Sequence, residues 1–175
     1  IASRLRDAGF ATLSLDLIAR AEENFPDIHH HVSLLARRLI DFLDLIKLRM
    51  QLGELPPLPF GLFAANATTP VAVRVAALRD HDIAAVVCRG GLIDLAGVLY
   101  LRSLESPLLV LAEESDAQHI ASSRRALQEI SCDQELRLIP EIGIDYATSA
   151  GLAAATSAAG EWFARHFSKA RAALP

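Results

Sequence analysis

Cysteine is scarce. Cys88 and Cys132 are the only two, far apart and without metal-ligand spacing. That rules against a disulfide framework and fits a reducing compartment, with cytoplasm the expected location. The chain also lacks a basic block, and its formal net charge is −4. Neither nucleic acid nor an anionic membrane surface is expected as a partner. No apolar run approaches the roughly 18 residues that a membrane helix needs. Internal repeats, low-complexity tracts and a signal-peptide pattern are missing as well. The chain opens Ile1-Ala2-Ser3-Arg4-Leu5-Arg6 in mid-pattern, as if cut from a longer protein.

What is present is apolar and periodic. The hydrophobic fraction is 52% and the mean hydropathy +0.30 over 175 residues, one domain's worth of chain. These values suit a sheet buried on both faces, whose strands are apolar throughout. A helix end over 1–8, closed by Gly9, leads to a predicted strand from Phe10 to Leu17. A loop from Arg20 to Asp27 follows. A long helix is predicted over about 30–51, with Leu34, Leu35, Leu39, Phe42, Leu43, Ile46 and Met50 at helical spacing. Gly53 and Pro56-Pro57 end it. Further strands are predicted over 60–65, 83–88, 108–112 and 136–139, with helices over 67–79, 117–130 and 149–170. In the last helix Leu152, Trp162, Phe163 and Phe167 are expected to face inward. Strands alternating with helices imply a doubly wound, mostly parallel α/β sheet with right-handed crossovers and helices on both faces. Chemistry is expected at the carboxyl ends of its strands, at Asn66, Arg89, Glu113 to Asp116, and Gly143 to Tyr146.

The stretch from Pro59 to Pro70, PFGLFAANATTP, runs from an apolar strand straight into a helix. It occupies the setting of a G-x-S-x-G nucleophile elbow, with Ala64, Asn66 and Thr68 at the marked positions. Several segments resemble the dienelactone-hydrolase-like branch of the α/β-hydrolases. They are 5–17 (LRDAGFATLSLDL), Gly61-Leu62-Phe63, 84–91 (AAVVCRGG) followed by Asp94-Leu95-Ala96, Pro107 to Leu111, and Glu161-Trp162-Phe163. The likeness covers nearly the whole chain.

The resemblance implies an α/β-hydrolase fold, and the single domain of residues 1–175 is expected to lack the N-terminal strands of that fold. It places Asn66 at the nucleophile position, Asp116 at the acid position and Ile144 at the histidine position, so one of three is retained. Without a hydroxyl nothing can be acylated, and without an imidazole no base has a suitable pKa. The expectation is a degenerate triad in a catalytically inactive protein, with a ligand-binding or structural and regulatory role. The alternatives are an active carboxylester or lactone hydrolase using a non-standard constellation, and an oligomerisation module. Ala67, which would give one oxyanion-hole N–H, and Arg89 and Tyr146 are candidate binding residues. No cofactor and no metal are expected. A small-molecule ligand in the vestigial pocket is the expected partner. A second copy, or a fused or partner domain, is expected to cover the missing sheet edge; the resemblance includes a branch fused to a phosphoribosyltransferase domain.

Plainer roles compete for the same residues. Asn66 suits a left-handed turn and would serve as a helix N-cap. His29, His30 and His31 are adjacent, so they point about 100° apart on a helix and read as a solvated helix entry. His81-Asp82 precedes a strand and reads as a turn. His119 is expected at the surface. Cys88 could be a thiol nucleophile but reads as a small buried group. Glu113, Glu114 and Asp116 could hold a hard cation, yet they read as an acidic loop favoured by a helix N-terminus. Asp145, beside the vacated histidine position, would be a base with no nucleophile to activate.

Overall fold

The computed structural model describes residues 1–25, 27–140 and 150–172. Its centre is a four-stranded sheet of β1 (Phe60–Ala65), β2 (Ile83–Arg89), β3 (Leu108–Glu113) and β4 (Gln134–Ile139), in the order β1-β2-β3-β4. Every pairing is parallel. The helices are α1 (Ala2–Asp7), α2 (Val32–Gln51), α3 (Thr69–Leu78), α4 (Val98–Arg102), α5 (Ala117–Leu127) and α6 (Ala150–Ala172). Each strand lies beside its successor, and α3, α4 and α5 make the connections.

Strand periodicity divides the core in two. Val86, Cys88, Leu108 and Val110 point to one face and pack with residues of α2, α3, α4 and α5. Ala85, Val87, Leu109 and Leu111 point to the other and pack with α6. Successive side chains alternate between faces, so strands covered on both sides must be apolar at every position. Repeated same-handed crossovers put α3 to α5 on one face, which leaves α6 to cover the second. Ala155, Ala158 and Ala159 let α6 lie close to the strands, and Trp162 and Phe163 fill the space beyond. Gly61 is needed for the same packing. A Cβ there would come within 2.7 Å of the Phe163 and Phe167 rings.

The predicted strand over Phe10–Leu17 does not form. The run has no ladder partner among the described residues, and β1 remains an edge strand. Leu13 and Leu15 are 67% and 41% exposed. The run is held at its two ends: Phe10 lies edge-on to Phe163 and Phe167 at 6.3 and 6.0 Å between ring centres, and Leu17 packs on the core while its carbonyl accepts from Arg38 at 2.8 Å. An alternating pattern can supply a strand, but the strand exists only once its N–H and C=O groups find a neighbour. Two further differences are smaller. Leu34 is exposed, whereas Leu35 and Leu43 carry the buried side of α2. The region after Gly91, for which the sequence pattern predicts no element, forms a 3-10 turn over Ile93–Ala96 and then α4. Arg74 fastens it, donating to the Ala96 carbonyl at 2.8 Å and lying 4.6 Å from the Tyr100 ring centre. No helix among the described residues is long and apolar enough to cross a membrane.

Candidate functional site

β1 ends at Ala65, and the chain turns at once through a 3-10 turn, Asn66–Thr68, into α3. Asn66 has φ +54 and is the one non-glycine residue with positive φ among those described. Left-handed backbone is costly for most L-residues and tolerated by asparagine. Two threonines close the turn. The Thr68 hydroxyl donates to the Ala65 carbonyl at 2.9 Å and accepts the Ala65 N–H at 3.2 Å. The Thr69 hydroxyl donates to the Asn66 carbonyl at 3.0 Å. The expectation that Asn66 acts as a helix cap is therefore corrected. Neither the 3-10 turn nor α3 has a side-chain cap from it. A capping residue takes extended backbone angles, and the left-handed turn carries the Asn66 carboxamide outward instead.

The turn after β2 packs on this elbow. Gly90 and Gly91 have φ +62 and +71. A Cβ on Gly90 would come 2.9 Å from Asn66 Oδ1, and one on Gly91 would overlap the Asn66 carbonyl. Two consecutive glycines let the backbones approach. The Gly90 N–H donates to Leu111 O at 3.1 Å and ties this turn to β3.

Parallel register brings the remaining strand ends alongside: Ala65 pairs with Arg89, Arg89 with Leu111, and Glu113 with Ile139. The result is a polar crevice of about 170 Å³ lined by Asn66, Arg89, Gly90, Gly91, Glu113, Asp116 and His119. Asp116 caps α5, its Oδ1 accepting the His119 N–H at 2.9 Å, as the acidic-loop reading anticipates. His119 corrects the surface expectation: it is only 7% exposed. Its Nε2 is buried without a hydrogen-bond partner among the described residues, as is Arg89 Nε.

The other candidates separate from this crevice. Ala67 is exposed and does not line it. Ile144, Asp145 and Tyr146 lie outside the described residues. Cys88 is fully buried; burial pushes its thiol up to about 12, and its Sγ lies 3.9 Å from the Thr69 carbonyl. A thiol so far from ionising is no nucleophile. His29, His30 and His31 are exposed. His81 is exposed in a turn, and Asp82 accepts from Lys47 at 2.5 Å. No group of three or more His, Cys, Asp or Glu side chains suited to a metal ion occurs among the described residues.

A parallel sheet with helices on both faces, and a left-handed strand-to-helix bend at the carboxyl edge, define an α/β-hydrolase-fold protein. A dienelactone hydrolase from Anabaena variabilis has a similar structure, with a TM-score of 0.85 and 30% sequence identity over 95% of this chain and 77% of that one. The chain belongs to the dienelactone-hydrolase-like branch of that fold. A cold-adapted esterase from an Arctic intertidal metagenomic library shares the fold at a TM-score of 0.64 and 15% identity, over 95% of this chain and 74% of that one. Two Mycobacterium tuberculosis proteins, from strains CDC 1551 and H37Rv, are each named "Putative phosphoribosyl transferase". Each is 31% identical to this chain over 166 residues, which is 95% of this chain. The chain spans 37% of the length of these curated relatives. No family model matches it.

Proposed function

We propose that this domain keeps a dienelactone-hydrolase scaffold without serine chemistry and binds a small molecule in the crevice at Asn66. The observation that carries the reading is Asn66 itself, in left-handed backbone at the apex of the bend. A carboxamide has no hydroxyl or thiol to give up a proton and attack an acyl carbon. Asp116 stands at the acid position and is occupied as a helix cap. Ile144, at the histidine position by sequence, has no nitrogen to act as base. The triad of Asn66, Asp116 and Ile144 is degenerate in this reading.

A second reading draws on His119. A buried imidazole in the same crevice as Arg89 could serve a hydrolase of non-standard constitution, with water in place of a covalent nucleophile. A short p-nitrophenyl ester separates the two. No turnover above the buffer rate is expected. Turnover abolished by Asn66→Ala, Asp116→Asn or His119→Gln would establish the second reading and overturn the first.

The longer relatives support a further part of the proposal, that the domain works beside a phosphoribosyl transferase domain. Among the described residues β1 has a free edge, which favours a covering neighbour, either that domain or a second copy. Light scattering that returns a strict monomer would remove the second copy.

A further inference from the structure

We propose that the crevice takes a small carboxylate whose neighbouring carbon carries a hydroxyl or an ammonium group. The inference deepens the binding reading above and rests on it.

Opposite charges line the crevice without pairing. Arg89, Glu113 and Asp116 all face it, yet no ion pair or side-chain hydrogen bond joins Arg89 to either acid. Other arginines of this chain close on nearby carboxylates: Arg38 on Glu22 at 2.6 Å, Arg102 on Glu129 at 2.7 Å, and Arg137 on Glu135 at 2.7 Å. The gap at Arg89 suits a guest that is acceptor at one end and donor at the other.

The acceptor end is called for by two atoms. Arg89 Nε and His119 Nε2 are buried and without hydrogen-bond partners among the described residues, and the His119 side chain is nearly inaccessible. Buried polar groups are satisfied in the great majority of folds. A carboxylate would satisfy the Arg89 Nε–H, since arginine binds such groups strongly, and the His119 Nε2 as well in the tautomer that places the ring proton there. The donor end then meets Glu113 and the Asp116 oxygen that is free of the cap. Asn66 carries a carboxamide with no hydrogen bond among the described residues and can offer either polarity.

Size and charge narrow the class. The crevice measures about 170 Å³, room for a compact guest of a few non-hydrogen atoms. Glycolate and glycine are of that size. A compact polyanion such as inorganic phosphate would set more negative charge against Glu113 and Asp116.

The test is a titration of isotope-labelled protein followed by NMR, with sodium glycolate, glycine, sodium acetate and inorganic phosphate as probes. Glycolate or glycine is expected to shift the Gly90 and Gly91 amides and the His119 ring signals saturably, at least tenfold more tightly than acetate. Saturation by glycolate alone assigns a hydroxyl, and by glycine alone an ammonium. Arg89→Gln, with an unchanged thermal midpoint, is expected to weaken binding at least tenfold; if it misfolds, His119→Gln takes its place. Equal or tighter binding of acetate or phosphate, shifts that map away from the crevice, or no saturation by glycolate or glycine would overturn the proposal. Binding and ester turnover are separate readouts. A chain that hydrolyses esters yet binds glycolate overturns only the loss of hydrolase chemistry and leaves the binding reading standing, and one that does neither overturns only the carboxylate assigned here.

Discussion

Replacing Gly91 by alanine asks whether the elbow is held by the turn packed against it. Gly91 has φ +71, and its added Cβ would overlap the Asn66 carbonyl and lie 2.6 Å from Thr69 Oγ1. Two costs add. A left-handed backbone costs an L-residue roughly 1–2 kcal/mol. Overpacking costs roughly 1–3 kcal/mol more. The second cost is not easily relaxed. What the methyl meets first is main chain, and the Thr69 hydroxyl is already committed to Asn66 O at 3.0 Å.

Gly53 supplies the control. Its φ is +74, and nothing lies within 4 Å of a Cβ built there. Gly53→Ala therefore carries the conformational cost alone, about 1–2 kcal/mol, while Gly91→Ala should cost about 2–5 kcal/mol. Against a typical total of about 5–15 kcal/mol the difference is large. Equilibrium urea unfolding reads both, provided the slope m is unchanged between variants. A thermal scan should agree, at about 2–4 °C per kcal/mol for a domain of this size. If Gly91→Ala proves no worse than Gly53→Ala, the turn does not lock the elbow, and the close approach of the two backbones carries no energetic weight.

Two other expectations follow from charge and burial. Arg38 donates to both oxygens of Glu22, at 2.7 and 2.6 Å, and these bonds hold the Glu22 carboxyl at about 2 rather than 4.5. A depressed native pKa gives stability that is fully present above the unfolded value and is lost as pH falls through the native one. Glu22→Gln should therefore flatten the thermal midpoint against pH between about 4.5 and 2; an unchanged acid limb would contradict the pair's role. Burial pushes the Cys88 thiol up to about 12 and Cys132 up to about 11. At pH 8 a disulfide reagent should label both thiols quickly in urea and neither at a comparable rate in the native protein. Rapid native labelling of Cys88 would contradict its burial on β2 against α3.

Local pattern decided some elements and could not decide others. The run over Phe60–Ala65 becomes β1 with the predicted bounds, because its neighbour β2 completes its ladder on one edge. Phe10–Leu17 alternates apolar and polar residues over Leu13, Leu15 and Leu17, a strand pattern of its own, and stays irregular because no described strand lies beside it. The difference lies in the partner, which no window of sequence contains. The short α4 was unreadable for a related reason: it is only five residues long, follows Gly97 at φ +101, and depends on the distant Arg74. The candidate site divides likewise. Asn66 was legible because a strand, a bend and a helix are consecutive in sequence. His119 was not found by its hydrophobicity, but helical phase would have found it. The buried residues of α5 are His119, Ser122, Ser123, Ala126 and Leu127, an i, i+3, i+4, i+7, i+8 stripe. Three of the five are polar, so the stripe looks like a solvated face. Extending the phase of Ala126 and Leu127 back one turn and then another turns His119 inward, beneath the cap that Asp116 provides. A buried stripe that turns polar towards one end must meet something there that accepts or donates hydrogen bonds. In this fold the end in question is the carboxyl edge of the sheet, at the crevice shared with Asn66 and Arg89.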